Sequence, residues 1–199
     1  MKRFAAVLAL GISVLLVASV GHAARFTAPL NGPNESPPNA SAGTGFATVD
    51  FNPSLHTLSI SFSFSGLTGT TTASHIHCCI APNGTAGVAT AVPTFPGFPL
   101  AVTSGSYSAV FDTSLASTWN PAFITANGGT PAGAEARLAT GMTAGQAYLN
   151  VHTGVFPGGE IRGFLTQDLA IPTLSEWALG LLAAVLALIG WAALRRRTA

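Results

Sequence analysis

Apolar and polar residues alternate one for one through His56-Thr57-Leu58-Ser59-Ile60-Ser61-Phe62-Ser63-Phe64-Ser65. In an extended chain Leu58, Ile60, Phe62 and Phe64 share one side and the serines share the other, which makes a strand with one dry and one wet face. Such strands belong to antiparallel sheets, because parallel ones are covered on both faces. Shorter stretches of the same period run over 46–51, 73–81, 105–111, 147–153 and 160–167, separated by clusters of Gly, Pro and Asn. This spacing predicts a mainly β domain, antiparallel and β-sandwich-like or barrel-like. Two alanine-rich stretches, 114–126 and 132–142, break the alternation and predict one or two short helices on that body. Segments 33–38 and 93–99 predict loops, since proline supplies no ladder donor.

The two ends follow other patterns. Met1-Lys2-Arg3, the apolar run from Phe4 to Val20 and the small residues of Gly21-His22-Ala23 predict a signal peptide over residues 1–23, removed by signal peptidase. From Trp177 to Leu194 the chain carries no charge, and Arg195, Arg196 and Arg197 follow. The run is long enough to span a bilayer, with tryptophans near both boundaries, and the arginines belong on the cytoplasmic side. The expected organisation is a signal peptide over 1–23, an exported domain over 24–168, a hinge with a short motif over 169–176, and a transmembrane helix with a basic tail over 177–199.

That motif is Ile171-Pro172-Thr173-Leu174-Ser175-Glu176-Trp177. Followed by an apolar helix and a basic cluster, it resembles the IPTL-CTERM sorting signal, a relative of PEP-CTERM. The resemblance implies a substrate of an exosortase-type enzyme, held in the membrane by its helix until cleavage near the motif passes it to the cell surface or the extracellular matrix.

With the ends set aside the electrostatic picture changes. Arg25, Arg137 and Arg162 stand against Glu35, Asp50, Asp112, Glu135, Glu160 and Asp168, so the exported part is weakly acidic. A sparsely charged surface without a basic patch argues against nucleic acid as a partner and leaves an extracellular protein or polysaccharide. The aspartates are too scattered for a carboxylate pair, and no G-x-S-x-G elbow occurs, so no catalytic residue and no enzymatic activity are predicted.

Near the end of the domain Tyr148-Leu149-Asn150-Val151-His152-Thr153 and Gly159-Glu160-Ile161-Arg162-Gly163-Phe164-Leu165 flank a five-residue turn. A simple antiparallel register sets Thr153 opposite Gly159, His152 opposite Glu160 and Asn150 opposite Arg162. Glu160 is then expected between the His152 imidazole and the Arg162 guanidinium. The segments ASHIHCC, AYLNVHT and PGGEIRGFLT, in this order, resemble the CHRD domain, the module named after chordin. That resemblance covers roughly 25–167 and implies a β-sandwich-like extracellular module with no assigned reaction.

The densest chemistry lies in Ser74-His75-Ile76-His77-Cys78-Cys79-Ile80. On a strand His75, His77 and Cys79 share one face and Ile76, Cys78 and Ile80 the other. Histidines at i and i+2 have Cβ atoms roughly 7 Å apart and can point at one ion. With His152 as a third imidazole, Cys79 as a further donor and Glu160 holding a ring proton behind His152, the set suits copper or zinc. The competing expectation is that the imidazoles hydrogen-bond to backbone or to Glu160 and only fix the hairpin. The two cysteines leave three outcomes: a vicinal disulfide, an intermolecular bridge, or free thiols. The reading adopted places Cys78 in the core and Cys79 near the histidines.

Overall fold

The computed structural model describes residues 23–168 and 176–197. Its first unit begins with β1 (Ala24–Asn31), a strand not anticipated above because Pro29 interrupts it. Phe26, Ala28 and Leu30 nevertheless alternate inward and are fully buried. β2 (Thr44–Asn52) and β3 (Thr57–Ser65) follow as a meander, then β4 (Thr71–Cys78) and β5 (Gly105–Asp112). On β3 Leu58, Ile60, Phe62 and Phe64 are buried and Ser61, Ser63 and Ser65 exposed, as the alternation requires.

The helices fall on the two alanine-rich stretches, α1 (Pro121–Ala126) inside the first and α2 (Pro131–Thr143) reaching one residue past each end of the second. Each starts on a proline, whose missing N–H costs nothing in the first turn. Each is capped by the residue before it: the Asn120 side chain accepts from the Ala122 amide at 3.0 Å and the Thr130 hydroxyl from the Gly133 amide at 3.1 Å. β6 (Ala147–Thr153), β7 (Ile161–Phe164) and β8 (Thr166–Gln167) complete the unit.

The strands form one antiparallel sheet in the order β4-β6-β7-β1-β2-β3-β5, with β8 also on β1, curled into a half-barrel. Curling lets one sheet serve as both layers around a single core. Phe26, Val49, Ile60, Phe62, Ile76, Leu149, Val151 and Ile161 meet there, with Trp119, Leu138 and Met142 contributed by the helical segment. Full burial of such a side chain stabilises by ~1.5–3 kcal/mol. Gly163 lets β7 approach β1, because a Cβ there would collide with the Pro29 carbonyl.

The outer edge of β4 is covered by segment 86–102. The Ala89 amide donates to the Ile76 carbonyl at 2.9 Å, Phe95 to Ser74 at 3.1 Å and Ala101 to Thr71 at 2.9 Å. Phe95 pins this segment: it is fully buried and stacks on Tyr107 at 5.6 Å between ring centroids. Loop 93–99 is therefore irregular but anchored, which matters for the site below.

The second unit is α3 (Glu176–Arg197). Within it 178–196 is long and apolar enough to cross a membrane, with a mean hydropathy of 2.0 and none of it buried. The Arg195 guanidinium lies 4.1 Å from the Trp191 ring centroid. The expected signal peptide, Ala23 apart, and Ile171 to Ser175 of the sorting motif lie outside the described residues.

Candidate metal centre

Strands β4 and β6 pair with His75 opposite Asn150, His77 opposite Tyr148 and Ala73 opposite His152. Ile76 and Cys78 on β4 and Leu149 and Val151 on β6 point into the core. Alternation therefore sends His75, His77, Tyr148, Asn150 and His152 to the other face of the sheet. His152 sits diagonally across from His75, within reach for an imidazole. One ring nitrogen from each of His75, His77 and His152 lies within 4.8 Å of those of the other two. Nε2 of His77 and Nε2 of His152 are 3.4 Å apart.

The second nitrogen of each ring decides what those nitrogens can do. Nε2 of His75 is 2.6 Å from the Pro93 carbonyl, Nδ1 of His77 is 2.9 Å from the Ala86 carbonyl, and Nδ1 of His152 is 3.0 Å from the Pro157 carbonyl. A carbonyl only accepts, so each of these nitrogens carries the proton. In neutral rings, Nδ1 of His75, Nε2 of His77 and Nε2 of His152 are then bare lone pairs. Nδ1 of His75 is buried with no hydrogen-bond partner. Two lone pairs at 3.4 Å make no hydrogen bond with each other.

Burial also keeps the rings neutral. It pushes His75 and His77 down to about 4, against the smaller upward pull of the Pro93 and Ala86 carbonyls, and it lowers His152 as well. Neutral imidazoles are the form a metal ion requires. Two nitrogens bound tetrahedrally to one ion at about 2.0–2.1 Å stand roughly 3.3 Å apart. The His77–His152 spacing of 3.4 Å is close to this value, and His75 offers a third ring nitrogen within 4.8 Å of the others.

Two expected contributors lie elsewhere. The hairpin register is the expected one, with Asn150 opposite Arg162 and Val151 opposite Ile161. Glu160, however, precedes the first residue of β7, so strand alternation does not fix its direction. Its carboxylate turns away from His152 and accepts from the Ser41 hydroxyl at 2.6 Å, the Thr153 hydroxyl at 2.7 Å, the Gly69 amide at 3.0 Å and the Thr68 amide. Burial raises its pKa, but these four bonds outweigh that and hold it below the ordinary value. His152 is oriented instead by the Pro157 carbonyl.

Arg162 does not share Glu160 either. Its Nε donates to the Asn34 carbonyl, its Nη1 to the Gly84 carbonyl at 2.9 Å, and its charge faces Glu35 at 3.8 Å. Cys79 is the other correction. β4 ends at Cys78, and a disulfide joins Cys78 to Cys79, so the Cys79 sulfur is tied to the core side against α2 and offers no thiolate to the histidines.

Sequence reasoning missed Tyr148 and Glu35. Tyr148 is buried and stacks flat on His77, with centroids 4.8 Å apart and planes 5° from parallel. Its hydroxyl accepts from the Ala86 amide at 3.1 Å, fixing the residue whose carbonyl holds His77. Knowledge of the β4–β6 pairing would have revealed this contact. Glu35 lies in a proline-rich loop that gives no sign of burial, yet burial raises it to about 7, partly offset by Arg162.

The CHRD domain model matches residues 26–165, and the IPTL-CTERM motif model matches residues 170–197. No curated protein and no solved structure gives a significant match.

Proposed function

The chain belongs to the CHRD domain family and carries an IPTL-CTERM signal behind that domain; from this premise we propose that it is an exported surface module that binds one zinc or copper ion through His75, His77 and His152. The sorting signal implies processing by an exosortase-type enzyme, with α3 as the transient membrane anchor. The single observation that carries the metal reading is the grouping of three imidazoles with ring nitrogens within 4.8 Å of one another, each ring held through one nitrogen by a backbone carbonyl. Three neutral imidazoles without a carboxylate suit a borderline transition metal and not magnesium or calcium. The role is binding, not turnover.

The test uses the full chain, exported by a host that lacks the sorting enzyme and extracted in detergent. Elemental analysis is expected to find about one equivalent of zinc or copper. His77→Ala and His152→Ala should each lose most of it while keeping their β-sheet circular dichroism. A parent chain that takes up neither ion, or variants that retain it fully, would sink the reading.

A further inference from the structure

The cysteines are the one motif the metal reading leaves unused, and they sit directly behind a ligand. Cys78 follows His77 in the chain, and its amide donates to the Gly87 carbonyl at 3.2 Å. His77 itself bridges to Val88, and its ring proton is held by the Ala86 carbonyl at 2.9 Å. The same three residues, 86 to 88, therefore hold the disulfide's backbone on one side and the ligand's ring on the other. A disulfide and an outer-sphere contact of the metal site share one piece of chain.

The bridge is also closely fitted. Gly141 on α2 faces both sulfurs, and a Cβ at that position would collide with each of them. Cys78 is buried and Cys79 partly so. Beside them an open cleft of about 300 Å³ is lined by Cys78, Cys79, Val88, Phe123, Asn127 and Arg137, among others. The cleft is wide enough to admit a small thiol, and the Cys79 sulfur lies 3.7 Å from the Arg137 backbone carbonyl at its wall.

We infer that the Cys78–Cys79 disulfide is a redox switch for the three-histidine site, with an external dithiol as its reductant; the inference rests on the metal reading. A thiolate of the dithiol attacks the more exposed Cys79 sulfur, forming a mixed disulfide as the Cys78 thiolate leaves. The second thiol of the reductant then displaces Cys79. Two electrons and two protons pass to the protein, which ends with two thiols, and the reductant ends as a cyclic disulfide.

Bonded sulfurs lie about 2.05 Å apart, whereas unbonded ones need the full van der Waals separation. Gly141 blocks separation towards α2, so the sulfurs part towards the cleft and the chain at 78–79 shifts with them. The shift is transmitted to the Cys78–Gly87 bond and the Ala86 carbonyl, loosening the hold on His77. Loss of an outer-sphere partner typically costs 10- to 100-fold in metal affinity.

The experiment titrates the full chain in detergent with cobalt(II), oxidised, after treatment with a dithiol that is then removed under anaerobic conditions, and after reoxidation. Cys78 and Cys79 are the chain's only cysteines, so no other thiol contributes. Affinity is expected to fall at least tenfold on reduction and to return on reoxidation. The Cys78→Ser/Cys79→Ser double variant should behave like the reduced protein. Equal affinity in both states overturns the switch, and so does a thiolate-to-cobalt charge-transfer band in the reduced protein, which would mean that reduction recruits a ligand. Failure of both states to bind cobalt(II) or zinc(II) refutes the metal site itself, a result distinct from the other two.

Discussion

Replacing Glu160 by glutamine separates a structural role from a metal-orienting one. The carboxylate is fully buried and takes four hydrogen bonds, from Ser41, Thr153, Thr68 and Gly69. A hydrogen bond to a charged group contributes ~1.5–3 kcal/mol. Glutamine keeps one acceptor oxygen but turns an NH₂ group towards donors, so about half of the set is lost. The expected destabilisation is roughly 3–5 kcal/mol, a large share of the ~5–15 kcal/mol of an ordinary domain. Urea unfolding followed by Trp119 fluorescence reads it, because Trp119 is buried and donates to the Thr113 carbonyl at 2.9 Å. Metal content should be unchanged under folding conditions, since the Pro157 carbonyl orients His152. The sign with pH follows from the lowered carboxyl: its contribution is present above the ordinary carboxylate pKa and is lost as pH falls through the folded value. A variant within about 0.5 kcal/mol of the parent, or one that loses metal at unchanged stability, would refute this assignment.

Gly141→Ala places a methyl group against both sulfurs and should cost ~1–3 kcal/mol or leave the cysteines reactive, which thiol labelling of the folded chain detects. In the metal-free chain His75 and His77 are held neutral down to about 4, against an unfolded value of ~6.5, so the unfolded state binds more protons between these values. Their contribution should be intact above pH ~6.5 and be lost as pH falls towards 4, seen as a drop in the urea midpoint that bound zinc(II) attenuates. Glu35 has the opposite sign, because its folded pKa of about 7 exceeds the unfolded one; Glu35→Gln should gain stability relative to the parent by up to ~3 kcal/mol as pH rises from 5 to 8, measured by the same unfolding series. Changing Arg195, Arg196 and Arg197 to glutamate should impair membrane retention and processing, read by fractionation and blotting; wild-type distribution would contradict their anchoring role.

The mainly antiparallel β class, the two helical stretches, the 148–165 hairpin register and the apolar C-terminal helix were all legible from the chain. Each rests on local rules: period-two alternation, helix-starting prolines, the length of a turn, an uninterrupted apolar run. The pairing of His75 with His77 was legible for the same reason. Tertiary structure alone decided that β6 lies beside β4, which brings His152 to the pair and stacks Tyr148 on His77. It also decided where alternation stops. Glu160 and Cys79 each stand one residue beyond a strand end, so their side chains follow their partners, four donors in one case and a neighbouring sulfur in the other, and not the pleat. The carbonyls of Ala86, Pro93 and Pro157 that set the three tautomers carry no signal in sequence, because every residue has one; only the paths of the loops bring these three within hydrogen-bond distance of an imidazole.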